Sequence, residues 1–356
     1  MYAPRGMSPP AACSRAAVYQ SRSLCQGSGD SMCTREAHGT AEDGASSCRL
    51  PYADRHIQKA VGLFPAQHYG DGDSAHIVTS AVQSNAPALA GFESFRFEAH
   101  DIAHWVYHTG DRRHAPILVL PEIAGVSPGL LLFIERLVKA RFQIYVPWLF
   151  GALGARAPVR NALRLCISRE FGNLRAGVSA PITDWLRALS KQISRDNKDT
   201  CVGAIGMCLT GAFVIPLIID PKVVAAVAAQ PAVPLSLLYA ALGIGGGEKL
   251  GALNVSERHI AAARERLVSG DAHILALRCR ADRICPRQKI ERLSREFPVG
   301  LEVREYGETN DRNVLGERPH ATFTKEYRIV PDAEQDHHSR KALADLIAFF
   351  ERHLRA

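Results

Sequence analysis

The chain has 356 residues, of which 47% are hydrophobic and 22% are charged, and its formal net charge at pH 7 is +7. This composition is typical of a globular protein that buries a sizeable core. No apolar run reaches the roughly 20 residues of a membrane-spanning helix, so no membrane partner is predicted. The basic residues are interspersed with Glu and Asp rather than concentrated in one run. This distribution argues against a nucleic-acid-binding protein and favours a solvated surface with a mild attraction for anionic substrates.

The nine cysteines form neither a C-x-x-C pair nor a regular framework. An odd number of irregularly spaced cysteines, in a chain without a recognisable signal peptide, predicts free thiols in a reducing compartment. We therefore expect a cytoplasmic protein.

The first ninety residues differ in character from the rest of the chain. They are rich in Ser, Ala, Gly and Pro and show no sustained periodicity. Such a segment buries too little apolar surface to offset its chain entropy, so we predict a disordered amino-terminal extension over 1–90. Arg5, Arg15 and Arg22 precede the first acidic residue, Asp30, which faintly resembles an organellar transit peptide. A non-native or overlong amino terminus is at least as good an interpretation.

After the extension, strand-like apolar runs alternate with amphipathic stretches. Residues 95–100 alternate with period two and 105–107 follow closely, which predicts a hairpin of edge strands. The run at 116–120 is apolar throughout, as expected for a strand covered on both faces. Ser127 is placed to cap a helix that starts at Pro128.

The later elements continue this alternation. Strands are predicted at 143–149, 223–229, 273–277 and 301–306, and helices at 181–195, 287–297 and 339–354, the first and last of which are amphipathic. The loops at 151–176 and 232–255 connect them, and the first either covers an active-site mouth or is a plain connection. The alternation, with no internal repeat, predicts one α/β domain over 91–356. We expect a doubly wound, mostly parallel sheet with helices on both faces.

Two stretches resemble ligand sites but fail the required pattern. Residues 243–249 are glycine-rich, but Lys249 follows Glu248 rather than a glycine, so the register of a phosphate-binding loop is not met. The neighbours His337 and His338 lie at a helix start with no carboxylate partner, which favours a solvated cap over a metal site. The sequence therefore predicts neither a cofactor nor a metal.

The stretch 201–211 reads C-V-G-A-I-G-M-C-L-T-G and leads into the apolar run 212–219. An apolar strand that enters a glycine-flanked turn and leaves as a helix is the arrangement of a nucleophile elbow, with its central side chain at the carboxyl edge of a sheet. Cys208 occupies that central position. Because the first turn of a helix favours the reactive thiolate of a cysteine, Cys208 is the predicted nucleophile. The alternative is a buried cysteine that only packs.

A cysteine nucleophile needs a base, and the base needs an orienting group. In this kind of sheet the acid ends the strand two along from the elbow strand, and the histidine lies between the last strand and the last helix. Asp282 and His320 occupy those two positions. Their rivals fit less well: Asp271 precedes its strand, and Asp311 and His337 do not match the topology.

With these residues identified, the chain from residue 116 to the carboxyl end resembles the dienelactone hydrolase family, a branch of the α/β-hydrolase fold. Residues 121–126 read P-E-I-A-G-V and resemble the family's E-I-x-G-V, and residues 206–211 read G-M-C-L-T-G and resemble G-x-C-x-G-G. The third segment is D-R-I-C-P at 282–286, with His320 downstream. A cysteine in this elbow points to the family more specifically than a serine would, because most α/β-hydrolases use serine at this position.

The resemblance implies a role for each matched residue. Cys208 would attack the carbonyl of an ester or lactone, His320 would relay the proton, and Asp282 would hold His320 in the useful tautomer. The backbone N–H groups of Ile123 and Leu209 would form the oxyanion hole.

The resemblance also assigns the remaining polar groups of the site, with two departures. It implies that Glu122 interacts with the resting thiol and helps to generate the thiolate, although a strand-end carboxylate can also simply pair with a nearby arginine. Thr210 stands where the family has its second elbow glycine, which would narrow the pocket or shift the helix start. The family's substrate-binding arginine after the histidine is replaced by Thr324 and Lys325, and Lys325 is predicted to attract an anion without forming a bidentate clamp.

The predicted function is a cofactor-independent hydrolase of a small carboxylic ester or lactone, anionic or not, acting as a monomer or homodimer. Thioester hydrolysis or acyl transfer on the same triad is a second interpretation. A ligand-binding protein that kept the fold but lost turnover is a third.

Overall fold

The computed structural model describes residues 87–151, 171, 179–232, 250–330, 334 and 336–355. Nearly all of the predicted extension, most of the loops at 151–176 and 232–255, and the glycine-rich stretch 243–249 lie outside the described residues. Within them, no helix combines the length and the apolarity that a membrane span requires.

The described residues form an eight-stranded sheet with the strand order β1-β2-β4-β3-β5-β6-β7-β8. The strands β1 and β2 are antiparallel to each other, β2 is antiparallel to β4, and all other neighbouring strands are parallel. Their bounds are β1 Glu93–Ala99, β2 Ile102–Thr109, β3 Ala115–Leu120, β4 Phe142–Pro147, β5 Val202–Met207, β6 Val223–Ala229, β7 His273–Cys279 and β8 Leu301–Tyr306.

The helices are α1 Pro128–Lys139, α2 Ile182–Asp196, α3 Val214–Leu217, α4 Glu257–Val268, α5 Arg287–Glu296, α6 Tyr327–Ile329 and α7 His338–Leu354. A 3-10 turn, Cys208–Ala212, precedes α3, and a π-helical turn, Thr322–Glu326, precedes α6. Helix α1 begins as predicted, because the Ser127 hydroxyl accepts a hydrogen bond from Leu130 N at 3.3 Å and Pro128 supplies the first residue.

The central strands bury both faces, as their continuous apolar sequences predict. On β3, Ile117 and Val119 pack in the apolar cluster of α1 and α7, whereas Leu118 and Leu120 pack in the cluster of α2. Helices α4 and α5 cover the same face as α2 further along the sheet. Helices therefore lie on both faces of a mostly parallel sheet, and the predicted doubly wound architecture is confirmed.

Helix α4 is the element that the sequence analysis missed. Its amino terminus is capped by Ser256, whose hydroxyl accepts a hydrogen bond from His259 N at 3.3 Å. Its buried residues are Ile260, Ala263 and Leu267, with two alanines between the first pair and R-E-R between the second. The apolar stripe of this helix is weak because it contains few large side chains. The signals that could have predicted the helix are the capping Ser256 and the spacing of three and four residues between the buried positions.

The cysteines correct one expectation. Cys208, Cys279 and Cys285 are free thiols, but Cys201 is disulfide-bonded, so the prediction of free cysteines is wrong at this position. Cys201 lies just before β5, at the opposite end of that strand from the elbow, and its side chain is only half-buried there. A partly exposed thiol outside the regular strand remains accessible to a second cysteine. The predicted cytoplasmic location stays a prediction.

Candidate active site

Cys208 stands in a strained turn at the carboxyl end of β5. Its φ is +56°, a conformation that non-glycine residues adopt rarely and that is enriched at functional sites. Two residues earlier, a Cβ on Gly206 would lie 2.1 Å from the Thr210 carbonyl oxygen, so the returning backbone leaves room for glycine alone. The turn thus has the predicted elbow geometry, and it holds the half-buried Cys208 side chain at the sheet edge.

Thr210 uses its side chain to bind the neighbouring strand rather than to line the space beside the thiol. Its fully buried hydroxyl accepts a hydrogen bond from Met207 N at 2.9 Å. The same oxygen lies 3.1 Å from Leu120 O and 3.2 Å from Pro121 O, where β3 ends. The chain after Cys208 begins as a 3-10 turn instead of an α-helix and reaches α-helical form only at Val214.

Asp282 and His320 are brought together, as their order in the chain predicts. The distance between His320 Nδ1 and Asp282 Oδ2 is 2.7 Å, and the Asp282 side chain is 1% exposed. The other carboxylate oxygen, Oδ1, accepts hydrogen bonds from Ile284 N at 2.8 Å and Cys285 N at 3.0 Å. These backbone donors fix the carboxylate, so the carboxylate in turn fixes the plane and tautomer of the imidazole.

The remaining nitrogen of His320 faces the cysteine. Nε2 is buried and has no hydrogen-bond partner of good geometry among the described residues. Burial, the largest single influence, lowers the pKa of His320, but Asp282 and Cys208 together hold that pKa well above its ordinary value of 6.5. The raised pKa of His320 therefore favours an imidazolium beside the Cys208 sulfur.

A buried polar pair supports the loop that carries His320. Asn313 Nδ2 donates to Glu326 Oε1 at 3.0 Å, while Asn313 Oδ1 accepts from Leu315 N and Glu317 N, both at 3.0 Å. Burial raises the pKa of Glu326, and hydrogen bonds from Asn313 and from the His320 backbone oppose that rise. The sequence analysis missed this support, because Glu326 lies in the charged stretch T-K-E-Y-R, which looks like a solvated helix face.

Glu122 and Ile123 lie on the loop after β3, and Leu209 lies on the elbow next to Cys208. The buried Glu122 carboxylate accepts a hydrogen bond from the Thr324 hydroxyl. Leu209 belongs to the apolar cluster of α2, and Ile123 and Cys208 both pack against that cluster. The structure therefore brings the two predicted oxyanion-hole residues to the same apolar surface as the thiol.

Lys325, the predicted anion-attracting residue, is engaged elsewhere. Its ammonium forms an ion pair with Glu317, and its side chain is 21% exposed. Its positive charge is thereby partly neutralised before any substrate arrives.

The rival residues make contacts that are local to their own loops. Asp271 Oδ2 accepts from Ser269 Oγ at 2.6 Å, Asp311 Oδ2 accepts from Glu308 N at 2.6 Å, and His337 caps α7 by accepting from Ser339 N at 3.2 Å. Among the described residues, no group of three His, Cys, Asp or Glu side chains is arranged to hold a metal ion.

No protein-family model and no curated protein sequence matches the chain. Among solved structures, it is similar to a protein of Klebsiella pneumoniae subsp. pneumoniae MGH 78578 assigned to the dienelactone hydrolases, at 16% identity and a TM-score of 0.50, over 74% of this chain and 98% of that chain. A second neighbour is a dienelactone hydrolase from Anabaena variabilis, at 11% identity and a TM-score of 0.48, over 74% of this chain and 100% of that chain. A third is an esterase from Pyrococcus furiosus, at 12% identity and a TM-score of 0.47, over 74% of this chain and 91% of that chain.

The first neighbour comes from the family that the three sequence motifs resemble, and it matches across nearly its whole length. Likeness at this identity is informative about architecture. The eight-stranded sheet, with its two antiparallel strands at one edge and the elbow after β5, agrees with it. The chain therefore has the α/β-hydrolase fold, as its sequence predicts.

Proposed function

We propose that the chain is a cofactor-independent hydrolase of carboxylic esters or lactones, with Cys208 as nucleophile, His320 as proton carrier and Asp282 as the group that orients His320. The observation that carries the proposal is the 2.7 Å contact between His320 and Asp282 beside an elbow that holds Cys208 at a φ of +56°. The similarity in fold to a protein assigned to the dienelactone hydrolases also supports hydrolysis of an ester or lactone bond.

The first half of the reaction forms an acyl-enzyme. The Cys208 thiolate attacks the carbonyl carbon, a C–S bond forms, and the carbonyl electrons move onto oxygen. In the proposed arrangement the N–H groups of Ile123 and Leu209 bind this oxyanion. The intermediate collapses when the C–O bond breaks, and the His320 imidazolium delivers its Nε2 proton to the leaving alkoxide. The raised pKa of His320 suits this acid role, because the proton is held until the alkoxide forms.

The second half releases the acid. His320, now neutral, takes a proton from water, and the resulting hydroxide attacks the thioester carbonyl. The C–S bond then breaks, the carboxylic acid leaves, and the thiolate and imidazolium are restored. An alcohol or amine in place of water would give acyl transfer on the same residues.

The test uses the purified full chain with p-nitrophenyl acetate, p-nitrophenyl butyrate and a panel of small lactones. Removing the nucleophile in Cys208→Ala is expected to lower kcat by at least about 10³-fold. The matched control is Cys279→Ala, which removes a buried free thiol whose pKa burial raises to about 12. This control is expected to stay within about threefold of the unmodified chain, because its thiol takes no part in the proposed reaction.

Two further readouts sharpen the assignment. Rapid quenching followed by mass spectrometry is expected to find the acyl group on Cys208, and added methanol divides the products between acid and methyl ester if acyl transfer competes with hydrolysis. Turnover that persists in Cys208→Ala would refute the nucleophile. Absence of turnover across the whole panel would favour the ligand-binding interpretation.

A further inference from the structure

The two backbone donors of the proposed oxyanion hole belong to separate segments of the chain. Leu209 N lies on the elbow after β5, and Ile123 N lies on the loop after β3. The parallel pairing of these strands ends with Leu120 opposite Gly206, before either donor is reached. Beyond that pair, the ladder no longer fixes the separation of the two segments, so another contact has to set it.

The Thr210 hydroxyl provides such a contact. It accepts from Met207 N at 2.9 Å on the elbow side. Its single proton has three acceptors within reach, which are Met207 O at 3.0 Å on the elbow and Leu120 O at 3.1 Å and Pro121 O at 3.2 Å at the end of β3. Thr210 directly follows Leu209, and Pro121 is two residues before Ile123. The bridge therefore joins the two segments within two residues of both donors.

The surroundings leave the bridge little freedom. Thr210 is fully buried, and its carbonyl is pressed against β5 where a Cβ on Gly206 would be only 2.1 Å away. The next residue, Gly211, also lies close to a neighbour, because a Cβ there would be 2.8 Å from the Pro231 backbone. A hydroxyl held at a fixed point transmits its position to the groups that it binds. A glycine at position 210, as in the motif that the elbow resembles, could not make this bridge.

We infer that Thr210 is a positioning residue that sets the spacing of the two backbone donors, Ile123 N and Leu209 N, through hydrogen bonds from the elbow to the end of β3. The inference rests on the proposed function. It predicts that the Thr210 hydroxyl contributes to stabilising the oxyanion and not to generating the thiolate. Loss of the hydroxyl therefore lowers kcat much more than it changes KM.

The test compares Thr210→Val, which replaces the hydroxyl by a methyl of similar shape, with Thr210→Ser, which keeps it. Thr210→Val is expected to lower kcat by about 10- to 100-fold, less than the loss of a whole oxyanion donor, with KM within about threefold. Thr210→Ser is expected to restore kcat to within about threefold of the unmodified chain. The matched control is Thr183→Val, which removes another buried hydroxyl-to-carbonyl bond, from Thr183 Oγ1 to Ala180 O at 2.6 Å, far along the chain from the elbow.

Two reactions of Cys208 separate oxyanion binding from thiolate formation. An aryl trifluoromethyl ketone accepts the thiolate at its carbonyl carbon and places an oxyanion in the hole, so its affinity is expected to fall in Thr210→Val by the same factor as kcat/KM. Iodoacetamide alkylates the thiolate by displacing iodide without forming an oxyanion. Its rate is expected to stay within about twofold, because it depends only on the thiolate.

The outcomes are distinct. Unchanged kcat in Thr210→Val would overturn the inference while leaving the proposed function intact, and equal losses in hydrolysis and alkylation would assign Thr210 a purely structural role. If Thr210→Val does not fold, the pair Thr210→Ser and Thr210→Ala decides in the same way. If the unmodified chain cleaves no ester, the proposed function itself fails, and the trifluoromethyl ketone series alone decides the role of Thr210.

Discussion

The triad corner, formed by Cys208, His320 and Asp282, differs from the glutamate corner, formed by Glu122, Thr324, Lys325 and Glu317, in where the polar side chains send their hydrogen bonds. In the triad corner, Asp282 is held by backbone donors and points at His320, whose Nε2 is left for the thiol. In the glutamate corner, Glu122 accepts from Thr324, and Lys325 pairs with Glu317.

Under the proposed function, this difference separates the groups that carry out the reaction from the groups that adjust substrate preference. In the proposed mechanism Asp282 orients His320 and His320 carries the proton for Cys208, so losing any of the three impairs the same reaction. The charges of the glutamate corner are instead satisfied by each other and by neighbouring groups. A substrate anion would have to compete with Glu317 for Lys325, so this corner is expected to adjust substrate preference by small factors.

The largest effect is expected from removing the imidazole. We expect His320→Ala to lower kcat for p-nitrophenyl butyrate by about 10³-fold or more, because the leaving group and the attacking water both lose their proton carrier. The control is His337→Ala, which removes the rival histidine that caps α7. Steady-state kinetics on both variants check this. Comparable losses of kcat in the two variants would show that His320 has no special role in the reaction.

The second effect concerns the pH dependence of the triad corner. Asp282 raises the pKa of His320, so Asp282→Asn lowers that pKa toward its ordinary value. The thiolate–imidazolium pair needs the proton on His320, and activity is lost when the pH rises through that pKa. The alkaline limb of kcat/KM is therefore expected to move to lower pH in Asp282→Asn, together with a fall of about 10²- to 10⁴-fold at neutral pH.

The matched control for this profile is Asp311→Asn, since the Asp311 carboxylate accepts a hydrogen bond from Glu308 N within its own loop. Its alkaline limb is expected to coincide with that of the unmodified chain. An unshifted limb in Asp282→Asn would show that the limb does not report on His320.

The two corners also differ in how much of them the sequence could predict. The elbow follows from local features, because Gly206 and the spacing to Cys208 are read within one turn. Asp282 and His320 follow from their order at strand ends, since parallel strands place their carboxyl ends at one edge. The contact between Thr324 and Glu122 joins residues 202 positions apart, and the bridge from Thr210 to Leu120 spans 90. Such pairings depend on the path of two loops.

The fold shows the same division between local and long-range information. Strand β6 has the bounds that its apolar run predicts, because a continuous buried run is a strong signal, and β8 has its predicted bounds although its side chains are mostly half-buried. Helix α4 was missed because alanine, arginine and glutamate dominate it. The buried Glu326 was missed because its environment is created by Asn313 and the His320 loop and leaves no trace in the local pattern.

A third prediction tests the glutamate corner directly. Glu122→Gln is expected to lower kcat/KM by about three- to tenfold, less than Asp282→Asn, because an amide of the same shape can still accept the Thr324 hydrogen bond. The rate of iodoacetamide alkylation of Cys208 is the second measurement. A fall of more than about tenfold in that rate would mean that Glu122 acts on the thiol itself, as the family resemblance implies, and would erase the contrast between the corners.

The smallest effect is expected at the rim of the glutamate corner. Glu317→Gln removes the partner of Lys325, whose side chain is 21% exposed, and exposed ion pairs of this kind are worth about 1 kcal/mol or less. We therefore expect KM for the p-nitrophenyl hemiester of glutaric acid to fall by about two- to threefold, with KM for the neutral butyrate ester unchanged. Lys325→Met is the matched variant and is expected to raise the hemiester KM by a similar factor. A change of tenfold or more in Lys325→Met would instead identify Lys325 as a full substrate anchor that Glu317 does not neutralise, and the glutamate corner would then select substrates as strongly as a dedicated cationic clamp.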